Sequence, residues 1–543
     1  MSRKISLTDK EPFVCWCSPI PLKHVPNDRG FLLPQLTPND LQEVIRRLRQ
    51  GSRLLQATPV ATILQLIDQW ARHLERSVSA LDSPLVRQLA VRMSLPEIAV
   101  RQILHHQFRS LTADALWQLL EEIIGDPSVL DEGPIGTQQR IRAKGPDLTL
   151  LILPSNVPGV GIWDLVFCLL CKSAVLLKPS VREPFLIVIA AQSLCATDPV
   201  FATSVAALPW SADGEELTAL ALRNVDAVVA YGNELTQDFV QKNTPPSVHL
   251  IKRGPKFSIA LIGKSAVSPI TASLLARDLV LLDQRGCLSP AVCFIEGADG
   301  AERLSLLLTD ALRSFNNDYP VALTVSYRSA VGQLRLSALA AGARVLGSPA
   351  DGWLVIVWNE TTPFWSDLLT TVRALHIVPV QRLEDVIELL KGFKGKIQAA
   401  ALATEFEHAQ RLAIALAHLG ISRICSVGNL QFPPLTWEQD GRHLIRELVG
   451  WCQVEPLAIT KADGGWVEVF RGPDQQTHLI RSLLESQGIP STITYTSSQA
   501  SYGEVEAVLL VPPFATGEAW SLVQEEFAEM TGRQEEMGKA EAT

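Results

Sequence analysis

From about Leu36 to Leu130 apolar residues recur at helical spacing, with Leu41, Val44, Ile45 and Leu48 on one face and Ile63, Leu66, Ile67 and Trp70 on another. The spacing predicts a mainly helical N-terminal region whose apolar stripes cover a sheet supplied later in the chain. From Leu148 the rhythm changes. Short, wholly apolar runs at Leu148 to Leu153, Ala174 to Leu177, Val225 to Ala230 and Ser258 to Ile262 alternate with helical or loop segments. That is the pattern of strands buried on both faces of a parallel, doubly wound sheet. A second series runs from about Thr271 to Val427, with strands expected at Ala291 to Glu296, Ala343 to Leu346, Trp353 to Trp358, Ala374 to Val380 and Gln398 to Ala403. It predicts a second α/β domain.

The polar, Gly-containing stretch Pro456 to Gly465 separates this body from a compact βαββα pattern. Its elements are a strand at Trp466 to Phe470, a helix at His478 to Gln487, strands at Thr492 to Thr496 and Val505 to Leu510, and a helix at Ala519 to Met530. Residues 464–530 are therefore expected to form a small C-terminal domain, with 531–543 as a disordered tail.

A chain of 543 residues exceeds what one hydrophobic core supports, so two or three domains are expected. Its 47% hydrophobic and 19% charged residues are those of a folded globular protein. The net charge of -9 and the lack of a basic run argue against a nucleic-acid partner. The longest apolar run, Leu148 to Leu177, is interrupted by Pro154, Asn156, Pro158, Asp164 and Lys172, so no membrane span is expected. With no apolar stretch of signal-peptide length near Met1 and an odd set of nine cysteines, the reading is a cytoplasmic protein with reduced thiols. The ten histidines form no ligand-spaced set, and no metal is expected.

Four stretches carry candidate chemistry. Leu153-Pro-Ser-Asn-Val-Pro-Gly159 closes a buried strand with a rigid turn. Asn156 at its apex either offers a side-chain N–H to a developing oxyanion or only closes the turn. Lys178 and Ser180 in Leu-Leu-Lys-Pro-Ser end the next strand, where they reach over a cofactor crevice or form a solvated loop. In Val228-Val-Ala-Tyr-Gly-Asn233 the bare Gly232 allows close approach of a ligand, although no GxGxxG fingerprint occurs in the chain. The most informative stretch is Leu282-Asp-Gln-Arg-Gly-Cys-Leu-Ser-Pro290, which sets Cys287 in a polar turn directly before a strand. The other cysteines read as structural: Cys168 and Cys171 on an apolar helix, Cys195, Cys293 and Cys425 in hydrophobic contexts, Cys15 and Cys17 in an irregular N-terminal segment.

Read in order, together with Gly254-Pro-Lys-Phe-Ser258, these motifs resemble the aldehyde dehydrogenase superfamily, most of all its acyl-CoA reductase branch, the fatty acid reductases of bacterial luminescence. The stretch Ile424 to Arg442, leading to Leu448-Val-Gly-Trp451, is similar to the end of that branch, and the resemblance covers roughly residues 30–455. It implies a nucleotide-binding domain over 1–253 that also receives about 431–455, and a catalytic domain over 254–430. It implies that Cys287 takes the acyl group from a thioester, that Asn156 and the Cys287 backbone N–H hold the oxyanion, and that hydride from the nicotinamide releases an aldehyde. Lys178, Ser180, Gly232 and Asn233 are then the cofactor-binding candidates.

The chain departs from oxidative relatives at Leu250-Ile-Lys-Arg-Gly-Pro-Lys256, where they carry a general-base glutamate and this chain has no carboxylate. Hydrolysis of an acyl-enzyme should be slow without it. Val181 and Arg182 follow Ser180 where NAD-preferring relatives place a glutamate, which favours NADPH over NADH. Arg285 either lowers the thiol pKa or points to solvent. The substrate implied is an acyl-CoA or acyl-carrier thioester, with room for an acyl-donating protein partner and, by resemblance, a homo-oligomer. The same chemistry run toward acyl-CoA, or a non-catalytic scaffold that keeps the fold, are the alternatives. The C-terminal segment from Gly464 to Pro490 is similar to a family of small signal-transducing domains, which implies a regulatory or protein-binding module or a plain structural extension.

Overall fold

A computed structural model of the protein describes residues 13–27, 30–131, 141–211, 213–359, 366–367, 369, 372–453, 465–495 and 506–524. The chain divides into two compact units, Met1–Glu132 with Ala143–Gly450, and Gly133–Arg142 with Trp451–Thr543.

The first unit opens with the predicted helices, α1 (Pro38–Ala57), α2 (Val60–Ser79), α3 (Pro84–Met93), α4 (Glu97–Arg109) and α5 (Ala113–Ile124). Their starts are written in the sequence. Thr37 and Asp40 form a reciprocal capping box at α1, and Pro38 fills the position where a missing N–H costs nothing. Ser83 and Thr112 cap α3 and α5 with side-chain oxygens that accept from the Val86 and Ala115 N–H groups.

Five parallel strands follow: β1 (Leu148–Ile152), β2 (Ala174–Lys178), β3 (Val205–Ala207), β4 (Ala227–Tyr231) and β5 (His249–Arg253), ordered β3-β2-β1-β4-β5. α1 covers one face, with Leu41, Val44, Ile45 and Leu48 against Leu148, Leu150, Leu176 and Val228. The other face, with Leu151, Val175, Leu177 and Val229, packs with α2, α6 (Ile162–Leu170) and α7 (Phe185–Cys195). The sheet is thus wrapped on both sides, as the apolar runs require. Strand order reverses between β1 and β4, which opens a crevice at the carboxyl ends of the strands.

After α8 (Glu234–Asn243), a second sheet is built from β6 (Phe257–Ile262), β7 (Pro290–Glu296), β8 (Arg344–Ser348), β9 (Trp353–Val357), β10 (Ala374–Val380), β11 (Ile397–Ala403) and β12 (Ile424–Ser426). The helix α9 (Pro269–Val280) lies between β6 and β7 in sequence. The order is β8-β9-β10-β7-β6-β11-β12, parallel throughout the described pairs except β8 with β9. β3, β5 and β12 were not among the expected strands. All three stand at the ends of their sheets; β3 and β12 are only three residues long, and β5 exposes His249 and Lys252, so none writes a long apolar run.

The second unit contains β13 (Val467–Pro473), α10 (Asp474–Ser486), β14 (Thr492–Tyr495) and β15 (Glu506–Val511), followed by helical residues 516–524. Its antiparallel sheet, ordered β13-β15-β14, has its own core of Val469, Ile480, Leu484, Leu509 and Val511. The expected tail at 531–543 lies outside the described residues. No helix among the described residues is long and apolar enough to cross a membrane.

Candidate active site

The carboxyl edge of the first sheet collects most of the residues singled out from sequence. Asn156 stands in the turn after β1, Lys178 ends β2, and Gly232 and Asn233 follow β4. Lys178 turns inward rather than over the crevice. Its Nζ donates to the Trp210 carbonyl at 3.4 Å and sits 5.1 Å from the Trp210 ring, and burial pulls its pKa down to about 8. Ser180 Oγ accepts from the Arg182 N–H at 3.3 Å. Gly232 has a packing reason to be bare, because a Cβ there would lie 2.6 Å from the Thr236 side chain. Asn233 caps α8, its Oδ1 accepting from the Thr236 N–H at 3.0 Å. Ser180 and Asn233 thus bond within their own loops, whereas Lys178 reaches Trp210 beyond β3 and the Gly232 N–H donates to the Arg253 carbonyl at the end of β5.

Cys287 lies between α9 and β7 on a turn that is unusual in its backbone. Asp283 and Gln284 both take left-handed conformations, with φ of 49° and 56°. Such conformations are unfavourable for side-chain-bearing residues and persist only when surroundings enforce them. Here both side chains are buried and fully engaged. Arg373 Nε donates to Asp283 Oδ1 at 2.7 Å, while Gln284 donates to the Pro290 and Ala374 carbonyls and accepts from the Ala374 N–H. Ser258 Oγ then donates to the Cys287 carbonyl at 2.7 Å, from a point where the β6 register slips against both neighbours. From the first sheet, Asn156 Nδ2 donates to the Arg285 carbonyl at 2.7 Å. The structure thereby joins Asn156 to the Cys287 turn. Arg285 follows neither course expected of it. Its guanidinium binds the Met93 and Ser94 carbonyls at the end of α3 and pairs with Asp283.

Beside this turn lies a half-buried charged network. Asp440, in a left-handed turn, receives Arg253 at 3.2 Å, Lys256 at 2.5 Å and Gln398 at 3.3 Å, and Arg253 also pairs with Glu447 at 3.1 Å. Tyr231 Oη, at the end of β4, donates to Asp164 at 3.0 Å, and burial keeps that phenol well above its usual pKa. The segment Leu250 to Lys256 contains no carboxylate, but tertiary structure supplies one, Asp440, already neutralised by two cations. Sequence reasoning missed this group. Its one signal was two basic residues, Arg253 and Lys256, flanking the junction of two buried strands, since buried cations need partners.

Burial pushes the Cys287 thiol up to about 11, and the Asp440 charge adds to this; the Cys287 and Leu288 backbone N–H groups and Lys256 pull the other way. The thiolate fraction at neutral pH is therefore small and rises about tenfold per pH unit. Alkylation of Cys287 by iodoacetamide should accelerate in that manner through the alkaline range. Asp440→Asn should speed alkylation at fixed pH by roughly 3- to 10-fold, and Lys256→Gln should slow it by a similar factor. Opposite signs in the two variants, read by peptide mass spectrometry, check the assignment; equal signs would count against it.

A family model described as acyl-CoA reductase (LuxC) matches residues 55–451. The chain belongs to the acyl-CoA reductase (LuxC) family. A long-chain acyl-protein thioester reductase of Vibrio harveyi is 24% identical over 318 residues, 58% of this chain and 65% of that protein. The chain thus spans just under two thirds of that relative. A protein of the same description from Photorhabdus laumondii subsp. laumondii is 26% identical over 355 residues, 64% of this chain and 72% of the relative. Among solved structures, aldehyde dehydrogenase 21 of Physcomitrella patens superposes with a TM-score of 0.66 at 11% identity, over 82% of this chain and 98% of the other. Methylmalonate-semialdehyde dehydrogenase of Oceanimonas doudoroffii gives 0.64 at 16% identity, over 82% and 99%. This LuxC-family chain therefore has the aldehyde dehydrogenase fold.

Proposed function

We propose that this chain is an oxidoreductase that reduces a long-chain fatty acyl thioester to the aldehyde through an acyl-enzyme on Cys287, using a nicotinamide cofactor, NADPH in preference to NADH. The observation that carries the reading is the Cys287 turn, held in a strained shape by buried side chains and joined to Asn156 from the cofactor-type sheet. Family membership and the names of the two relatives support the reaction class. On this reading the first sheet, with about residues 431–455, binds the nucleotide, and residues 254–430 carry the nucleophile.

Cys287 Sγ bonds to the acyl carbonyl carbon; the bond to the donor sulfur breaks, and the donor leaves as a thiol with the proton of Cys287. An amide carries two N–H donors, so Asn156 can hold the Arg285 carbonyl with one and meet the developing oxyanion with the other, alongside the Cys287 N–H. Ser180, Gly232 and Asn233 at the carboxyl edge of the first sheet would hold a nicotinamide cofactor, which when bound would supply hydride to the acyl carbon. Opening of the carbon–sulfur bond then frees the aldehyde and leaves the Cys287 thiolate, which takes a proton from solvent to restore the thiol. Both carboxylate oxygens of Asp440 are engaged by cations, Oδ2 by Arg253 and Oδ1 by Lys256, so this carboxylate is held in ion pairs rather than aimed at a water on the thioester.

The loop after β2 suits a phosphorylated ribose. Arg182 is exposed beside Ser180, while Glu183 is turned to the Phe185 N–H at 3.1 Å at the start of α7. The cation is therefore presented outward and the carboxylate is directed to the helix. The test is cofactor oxidation with a long-chain acyl-CoA and with an acylated carrier protein, trapping the product. Equal amounts of NADPH consumed and aldehyde trapped are expected, with NADH slower. No aldehyde from any acyl thioester would overturn the proposal, and turnover only from aldehyde toward acyl-CoA would reverse its direction.

A further inference from the structure

We propose that Cys17 and Cys195 form a modification site, a dithiol that a small-molecule disulfide of the glutathione class converts to an internal disulfide. Their sulfurs are 3.4 Å apart although the residues are separated by 178 positions. Neither backbone is free to drift. Cys17 exchanges two backbone hydrogen bonds with Ala207 of β3, at 2.9 and 2.8 Å, and Cys195 is the last residue of α7. α7 grips the same N-terminal segment at further points: Gln192 Nε2 donates to the Val14 and Trp16 carbonyls at 3.0 and 2.8 Å, and the Phe185 ring meets Phe13 edge-on at 4.9 Å. The approach of the two sulfurs is thus built by contacts on both sides of it.

Both thiols are partly exposed, unlike the fully buried Cys15, Cys168, Cys171 and Cys293, so a small disulfide can reach them. Bond formation closes the gap from 3.4 Å to about 2.05 Å, a movement that side-chain rotation supplies. In the first step the Cys17 sulfur attacks one sulfur of the oxidant, forming a mixed disulfide and expelling one small thiol. In the second the Cys195 sulfur displaces the other small thiol. The two protein thiols lose two electrons and two protons, and the oxidant's disulfide gains them to leave as two thiols. The bond would close a loop containing α1 to α7 and β1 and β2, and a loop of that length gains most from crosslinking in the chain-entropy view. It pins the N-terminal segment to α7 without involving Cys287.

The test uses the full chain, incubated with oxidised glutathione, then alkylated, digested without reduction and mapped. A linked peptide containing Cys17 and Cys195, two hydrogens lighter than the sum of its parts, is expected, with an unfolding midpoint raised by roughly 5 °C and restored by dithiothreitol. Cys17→Ser and Cys195→Ser should each lose both the link and the shift. Glutathione left on Cys17 beside a free Cys195, both thiols unreacted while surface Cys452 is modified, or the same midpoint shift in Cys17→Ser would each overturn the proposal. None of these readouts depends on turnover, so they stand apart from the reductase assay.

Discussion

Cys287→Ala should lower aldehyde formation by at least about 10^4-fold, because deleting a covalent nucleophile elsewhere costs on the order of 10^6 in kcat. The expectation rests on more than the presence of a thiol. Of the nine cysteines, Cys168, Cys171 and Cys293 are enclosed in apolar packing, and burial drives their thiols far above the ordinary range. Cys287 is also raised, but its thiolate has specific support from two backbone N–H groups and Lys256. Its turn is also tied to Asn156, whose Nδ2 donates to the Arg285 carbonyl. The substitution removes one sulfur from a half-buried position, so the folded state should persist. An intact circular dichroism spectrum with no aldehyde, and no acyl adduct by mass spectrometry, is the expected result. Full activity in the variant would move the nucleophile elsewhere.

The second large effect concerns the turn's foundation. Arg373 and Asp283 are both essentially without solvent exposure, and Arg373 also reaches Asn316 and the Val280 carbonyl. Arg373→Met should destabilise the protein by about 3–5 kcal/mol, because it leaves the Asp283 carboxylate buried with only the partly exposed Arg285 as partner. Asp283→Asn keeps the shape and tolerates the left-handed backbone, and combining it with Arg373→Met should lose less than the sum of the two. Urea unfolding of the three variants checks this. Cys287 alkylation in Arg373→Met reports separately on the turn, and an unchanged rate there would mean that the ion pair supports the core without shaping the nucleophile.

The hydrophobic rhythm was enough to place the helical N-terminal region, the central strands of both sheets and the C-terminal βαββα pattern, because strands buried on both faces and amphipathic helices must write their periods into the chain. The candidates Cys287 and Asn156 came instead from their local motifs, each a polar residue in a turn at the end of a buried element. The end strands are harder to read: β3 and β12 are three residues long, too short to show a period, and β5 carries the exposed His249 and Lys252. Strand order, and with it the crevice between β1 and β4, depends on pairings between segments far apart in sequence.

The electrostatics of the site belong wholly to the tertiary structure. The missing glutamate was a correct local reading, yet Asp440 arrives from the far end of the unit, and Arg253 and Lys256 decide what that carboxylate can do. Lys178 was open between a cofactor crevice and a solvated loop, and Arg285 between the thiol and solvent; in the fold both bond to backbone carbonyls from other segments. A charged side chain's role follows from what it meets across the fold, and Coulomb energy depends on separation in space, which the order of residues along the chain does not encode.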